Sequence, residues 1–163
     1  MVRQGRLIHK GAMSLDPETL GMIGARMARD TPQSAALGIR FVSAQGGVAV
    51  LEVPYSVELV GDPGTGVLAG GVVTTLLDHV CGLAIVTAEG FPANAGGTAT
   101  LDLRIDYMRP AEPGRSVFGR AHCYKLTRSI GFVRASAYES DPDDPIATAQ
   151  AAFALMDAPG AQP

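Results

Sequence analysis

The spacing of apolar positions changes along the chain, and each period predicts an element. Leu20, Ile23 and Met27 recur at intervals of three and four, the stripe of a short amphipathic helix over about 16–29. Ser14 or Asp16 supplies its cap, Pro17 suits a first turn, and Glu18 favours the positive end of the helix dipole. "AALGIRFVSAQGGVAVLEVPY" follows, with two β-rich runs around Ala-Gln-Gly-Gly. That is a hairpin signal, with strands expected at about 36–44 and 47–54. Pro54 and the glycine-rich "GDPGTG" at 61–66 predict a loop. From near Gly70 to Glu89-Gly90 apolar residues occupy so many positions that the segment reads as a long helix buried nearly all round.

The second half reads as strands. "TATLDLRIDYM" alternates, with Leu101, Leu103, Ile105 and Tyr107 on one face and Asp102, Arg104 and Asp106 on the other. That predicts one buried and one polar face. "SVFGRAHCYKLTR", "GFVRASAYES" and "IATAQAAFALM" predict three more strands, separated by short turns. The order is helix, strand, strand, long helix, four strands. It predicts an α+β domain of about six mostly antiparallel strands, whose curved sheet wraps the long helix. The expected organisation is an arm over residues 1–13, one domain over 14–157 and a tail over 158–163.

Composition narrows the function. The chain has 163 residues, which suits one domain, and 47% of them are hydrophobic, which argues against disorder. With 13 basic and 16 acidic side chains the formal charge is −3, so no nucleic-acid footprint is expected. No apolar run approaches the ~20 residues of a membrane span, so no membrane partner is expected. The start "MVRQGRLIHKGAM" lacks the apolar core of a secretory signal. Cys81 and Cys123 are far apart and read as reduced, mostly buried thiols, so the expected compartment is the cytoplasm. His9, His79 and His122 lack the spacing of metal ligands, so no metal is expected. Neither a Gly-x-Ser-x-Gly elbow nor a phosphate-loop lysine is present.

The long helix carries the candidate chemistry. Asp78 stands alone in it as a full charge. Gly71, Thr74, Asp78 and Gly82 share one face, a strip of small residues around the acid. At the helix start, the N–H groups of Gly70, Gly71 and Val72 lack helical partners, and no bulky side chain covers them. Together with the dipole they can receive a developing oxyanion. Asp78 lies eight residues past Gly70, which is roughly 12 Å along a helix, too far for both to serve one carbonyl. Two antiparallel copies of the helix remove that conflict, each bringing its acid to the other's start. The plainer alternatives are that Asp78 pairs with Arg104 or Arg109, that Gly70-Gly71 is a tight turn, and that Thr74 and Thr75 bond back into the helix. His79 points to another face and reads as a satisfied core or interface residue.

"GVLAGGVVTTLLDHVCGLA", "TATLDLRIDYMRPA" and "IATAQAAFAL" together resemble the hotdog-fold acyl-CoA thioesterases of the phenylacetate-pathway and 4-hydroxybenzoyl-CoA thioesterase superfamily, over about residues 36–156. The resemblance implies a homodimer, or a dimer of dimers, paired through the sheets. It implies that the amide of Gly70, with Gly71 beside it, holds the thioester carbonyl. Asp78 from the opposite subunit then acts as base or nucleophile, and Thr100 positions the water. Coenzyme A enters only as part of the substrate, with no other cofactor, and Arg109, Lys125 and Arg128 are candidate cations for its phosphates. Where the family usually reads His-Gly-Gly this chain has Ala69-Gly70-Gly71, and Pro63 stands at the place of a usual loop asparagine. The rival readings are a non-catalytic acyl-CoA or hydrophobic-ligand binding dimer, and a hotdog hydratase or dehydratase.

Overall fold

A computed structural model describes residues 16–157. The expected arm, the candidate cap Ser14 and the tail lie outside the described residues. Helix α1 (Pro17–Asp30) begins at Asp16, whose carboxylate accepts from the Thr19 N–H at 2.9 Å and from its hydroxyl at 2.7 Å. This is the side-chain cap that the sequence offers. Leu20 and Ala28 bury, and Gly24 lies against the Phe41 ring so closely that a methyl there would overlap it.

The first strand starts later than expected. Pro32–Ala36 form a short helix α2, and Gly38, at φ +67°, turns the chain out of it. That conformation suits glycine and ends the helix. Strands β1 (Arg40–Gln45) and β2 (Val48–Val53) then make the expected hairpin around Gly46 and Gly47, both at positive φ. The loop over 61–66 is more ordered than its composition suggests. Strands β3 (Val60–Asp62) and β4 (Val67–Leu68) pair across it, and the Asp62 carboxylate accepts from the Gly64 N–H at 3.0 Å.

Helix α3 (Gly70–Val86) is the central element. Strands β5 (Ala95–Tyr107), β6 (Val117–Leu126), β7 (Ile130–Tyr138) and β8 (Ala147–Asp157) complete a six-stranded sheet of order β1-β2-β6-β7-β8-β5, with every pairing antiparallel. The sheet curves around α3, which packs on β6, β7, β2 and β5. Two glycines allow this close approach. A methyl on Gly119 would fall 2.9 Å from Leu76 Cγ, and one on Gly131 would fall 2.9 Å from Ile85. This is the expected α+β hotdog arrangement of a long helix wrapped by an antiparallel sheet, with a short helix before it.

Two expectations about burial are corrected. Helix α3 is not buried all round. Val72, Val73, Leu76, Leu77, Val80, Cys81, Leu83, Ala84 and Ile85 are buried, but Gly70 and Gly71 are exposed, and Thr74, Thr75, Asp78 and His79 are only half-buried. These positions follow the i, i+4, i+8 spacing of one helical stripe, so every polar side chain of α3 stands on the side the sheet leaves open. In β5 the alternation is interrupted by a register shift between Thr100 and Asp102. The extra residue, Leu101, is 59% exposed, and Tyr107 is 50% exposed. β5 is also an edge strand with one neighbour, β8, so among the described residues no strand covers its outer side.

Candidate active site

The open stripe of α3 is where the chemistry-bearing groups meet. Asp78 has a single recorded partner among the described residues: the Thr100 hydroxyl donates to its Oδ1 at 2.8 Å. Thr100 lies on β5 next to the register shift, which aims its side chain at the helix. The two candidate arginines are committed elsewhere. Arg104 pairs with Asp106 at 3.1 Å, and Arg109 with Glu139 at 2.7 Å. Asp78 is therefore a half-buried carboxylate with a hydroxyl donor and, among the described residues, no cation within ion-pair distance.

The helix start differs in one detail from the sequence reading. The Val72 N–H donates to Ala69 O at 2.9 Å, so it is not free. Gly70 and Gly71 are the first two helical residues, and no acceptor for either N–H is recorded among the described residues. A methyl on Gly71 would meet no heavy atom within 4 Å, so the side-chain direction of this residue is open. The Gly70 carbonyl accepts from the Tyr107 hydroxyl at 2.6 Å and from the Thr74 hydroxyl at 3.1 Å. Thr75 donates in the same way to Gly71 O at 3.0 Å and is itself met by Gln33 Nε2 at 3.3 Å. The back-bonding expected of the two threonines is real. Tyr107 was missed because strand alternation assigned it to the core face. The one available signal was its hydroxyl at the end of an apolar series.

Beside the helix start lies an open, mainly apolar cavity of ≈ 340 Å³, lined by Val67, Leu68, Gly70, Val73, Tyr107 and Met108 among others. Asp78 belongs to a different turn and does not line it. The chain thus carries both an acid and a pair of free amides, set apart along one helix as the spacing requires.

The candidate cations divide. Arg109 stands at the cavity edge, but its Nη1 and Nη2 donate to both oxygens of Glu139, and Nη2 also donates to Asp144 O at 2.7 Å. The Glu139 side chain is almost fully buried, and it also accepts from the Glu112 N–H at 2.8 Å. The hydrogen bonds to Glu139 raise the arginine's pKa further above its ordinary range, against the effect of burial. Arg109 is therefore a strut that ties the ends of β5, β7 and the turn before β8. Lys125 and Arg128 are exposed and close no ion pair among the described residues. They lie by the β6–β7 turn, where Gly131 packs on Ile85, at the C-terminal end of α3 and away from Gly70.

The other nucleophile and histidine candidates among the described residues are poorly placed. Cys81 is buried, and burial, followed by the Asp78 charge, pushes its thiol well above the ordinary range. His79 Nδ1 sits 3.0 Å from Thr75 O, a contact within the helix, which leaves it poorly aimed for acid–base work beside Asp78. No cluster of three metal-ligating side chains occurs among the described residues. No helix among them is long and apolar enough to cross a membrane.

Comparison with known proteins gives the family of the chain. The sequence profile of the thioesterase superfamily matches residues 65–146, which hold α3, β5, β6 and β7, and the chain belongs to that superfamily. It is similar to human acyl-coenzyme A thioesterase 13, with 32% identity over 95 residues, 58% of this chain and 63% of that protein. A Halobacterium salinarum protein is 40% identical over 76 residues, 46% of this chain and 50% of the relative. These matches thus span half to under two thirds of the curated relatives. Among solved structures, a Pseudomonas aeruginosa protein superposes with a TM-score of 0.75 at 39% identity, over 84% of this chain and 99% of that one. The Escherichia coli PaaI protein of the phenylacetic acid degradation operon superposes with a TM-score of 0.72 at 16% identity, over 88% of this chain and 98% of that one, a likeness of fold.

Proposed function

We propose that this protein hydrolyses an acyl-CoA thioester to a carboxylic acid and free coenzyme A, at a site shared between two subunits. One observation carries the reading. A carboxylate held by a hydroxyl, with no cation in ion-pair distance among the described residues, lies on the same open stripe of α3 as two free amides. In a purely structural role the carboxylate would be expected to find an arginine, and the free amides a cap.

The thioester oxygen accepts from the Gly70 and Gly71 N–H groups, at the positive end of the α3 dipole. These donors do their main work as the carbonyl becomes an oxyanion. Asp78 of the second subunit takes a proton from water as the water oxygen bonds to the carbonyl carbon; attack by the carboxylate itself is the other route. Thr100 holds the carboxylate in place. The tetrahedral intermediate then collapses, the C–S bond breaks, and the proton held by Asp78 passes to the leaving thiolate. The apolar cavity by Val67, Val73 and Met108 seats the apolar part of the substrate next to the amides. Lys125 and Arg128 remain the surface cations for the nucleotide phosphates, reached from the second subunit.

Pairing through the free edge of β5 supplies the second copy. The edge is long and carries Leu101, Tyr107 and, just beyond it, Met108 at 62% exposure. An edge of this length that carries exposed apolar side chains and pairs with no further strand among the described residues favours addition of a second strand.

The test is thiol release across a panel of acyl-CoA thioesters of differing chain length and aromaticity, run beside Asp78→Asn. Turnover that falls by roughly 10²–10⁴ in the variant is the expected result for loss of a base. Saturable acyl-CoA binding with no thiol release from the wild-type protein would favour the binding module instead.

A further inference from the structure

Tyr107 is held in a place that its strand does not require. Its hydroxyl donates a 2.6 Å hydrogen bond to the Gly70 carbonyl, and Thr74 Oγ1 stands 3.0 Å from the same phenol and 3.1 Å from the same carbonyl. Three oxygens from β5, the second turn of α3 and its first residue thus form a triangle. Each hydroxyl has one proton. The shortest side is Tyr107 to Gly70 O, so the phenol's proton lies there, and the threonine's proton goes either to the phenol oxygen or to the carbonyl. Both arrangements put added positive charge against Gly70 O.

That carbonyl belongs to the same peptide unit as the Gly71 N–H. A hydrogen bond accepted by a peptide oxygen polarises the unit and makes its N–H a stronger donor. The Gly70 N–H belongs to the preceding unit, whose oxygen, Ala69 O, accepts from the Val72 N–H and, among the described residues, from no side chain. Of the two free amides, one is tuned by side chains and the other is not. The tuned N–H also belongs to the glycine whose side-chain direction is open, whereas a methyl on Gly70 would meet Tyr107 Oη at 3.4 Å.

We infer that Tyr107, supported by Thr74, is a positioning residue: it orients and polarises the Gly70–Gly71 peptide so that the Gly71 N–H is the dominant oxyanion donor. This rests on the reading that the helix start receives the thioester oxygen. Tyr107 itself does not touch the reacting carbon. It also forms part of the cavity wall, so its ring and its hydroxyl have separable roles.

The experiment removes the hydroxyl and keeps the ring. Tyr107→Phe is compared with Thr74→Val and Thr74→Ser for kcat, KM, melting temperature and the Gly70 and Gly71 amide signals in ¹⁵N-resolved spectra. Tyr107→Phe is expected to lower kcat roughly tenfold with KM nearly unchanged, since the bond strengthens a transition-state contact. The Gly71 amide proton moves upfield and the Gly70 amide proton does not. Thr74→Val gives a smaller change of the same kind, and Thr74→Ser restores wild-type values. An unchanged kcat, or a loss accompanied by equal movement of both amides, overturns the inference. Should Asp78→Asn abolish turnover while Tyr107→Phe retains it, the hydrolase reading survives and this one fails. A wild-type protein inert toward every acyl-CoA ends both, and the wild-type control alone tells the two failures apart.

Discussion

The Thr100 hydroxyl donates a 2.8 Å hydrogen bond to Asp78, joining the edge strand β5 to the middle of α3. The bond fixes the direction of a carboxylate on a half-open face. Hydrogen bonds to charged groups contribute about 1.5–3 kcal/mol, and a base must be aimed to act. Thr100→Val is therefore expected to lower kcat by roughly ten- to a hundredfold, while Thr100→Ser keeps most of the rate. Steady-state thiol release from the three proteins checks this, with melting temperatures to show that the fold is unchanged. Equal rates for the valine and serine variants would count against the role.

Two glycines of the chain should respond oppositely to alanine. A methyl on Gly119 falls 2.9 Å from Leu76 Cγ and 3.3 Å from Val80, both fully buried. Overpacking of this kind costs about 1–3 kcal/mol, so Gly119→Ala should shift the denaturant midpoint down. Gly71 has no heavy atom within 4 Å of an added methyl. In a helix alanine is favoured over glycine by up to about 1 kcal/mol, so Gly71→Ala should be as stable as the wild type or more so. The same methyl adds bulk beside the Gly71 N–H, on a side that is otherwise open, and should depress thiol release. A Gly71→Ala protein with full activity would place the thioester somewhere else.

What the sequence disclosed follows from which forces are local. The α3 segment was legible because its apolar run is too long for a strand, and the strands of the second half because their turns are short and polar. The acid and the two glycines were legible as a constellation because helical spacing is fixed. Three features were not. The start of β1 was hidden because Pro32–Ala36 form one helical turn that the apolar pattern does not separate from the strand. The exposure of Leu101 depends on a register shift against β8, a relationship between strands that no single run of residues contains. The open side of α3 arises because the sheet of one chain does not close around it. Residue types alone showed small and polar side chains there, without showing what was missing beside them.

Arg109 and Glu139 make the stability of the fold depend on pH. Burial alone would raise the Glu139 pKa, but the Arg109 hydrogen bonds, the Glu112 N–H and the arginine charge together outweigh it, and the carboxyl is held below its ordinary range. A carboxyl whose folded pKa is lowered stabilises the fold above its unfolded value, and loses that contribution as pH falls through the folded value. Stability should thus be steady at neutral pH and fall from about pH 4.5 downward. Glu139→Gln should be less stable by about 2 kcal/mol at pH 7, a figure kept low because Arg109 is partly solvated. The difference should shrink as the pH drops. Urea titrations at several pH values measure both curves, and a constant gap between them would contradict the assignment.

The distance between Asp78 and the helix start allows a direct test of whether the proposed site is shared between subunits. Asp78→Asn removes the acid. Gly70→Pro removes one free N–H and suits the first helical position, since Ala69 before it is already extended, at ψ 137°. Each variant alone should be impaired, the second by less than the roughly 10²–10³ in kcat that a dominant oxyanion donor supplies, because the Gly71 N–H remains. Subunits mixed after denaturation and refolding pair at random, so about half of the dimers contain one of each. In such a dimer one site combines the intact acid of the proline variant with the intact amides of the asparagine variant, and the other site has neither. Activity should return to about a quarter of the wild-type level per subunit on this two-fold arrangement. If the acid and the amides of one chain served the same substrate, no pairing would restore a complete site, and the mixture would stay as inactive as its parts.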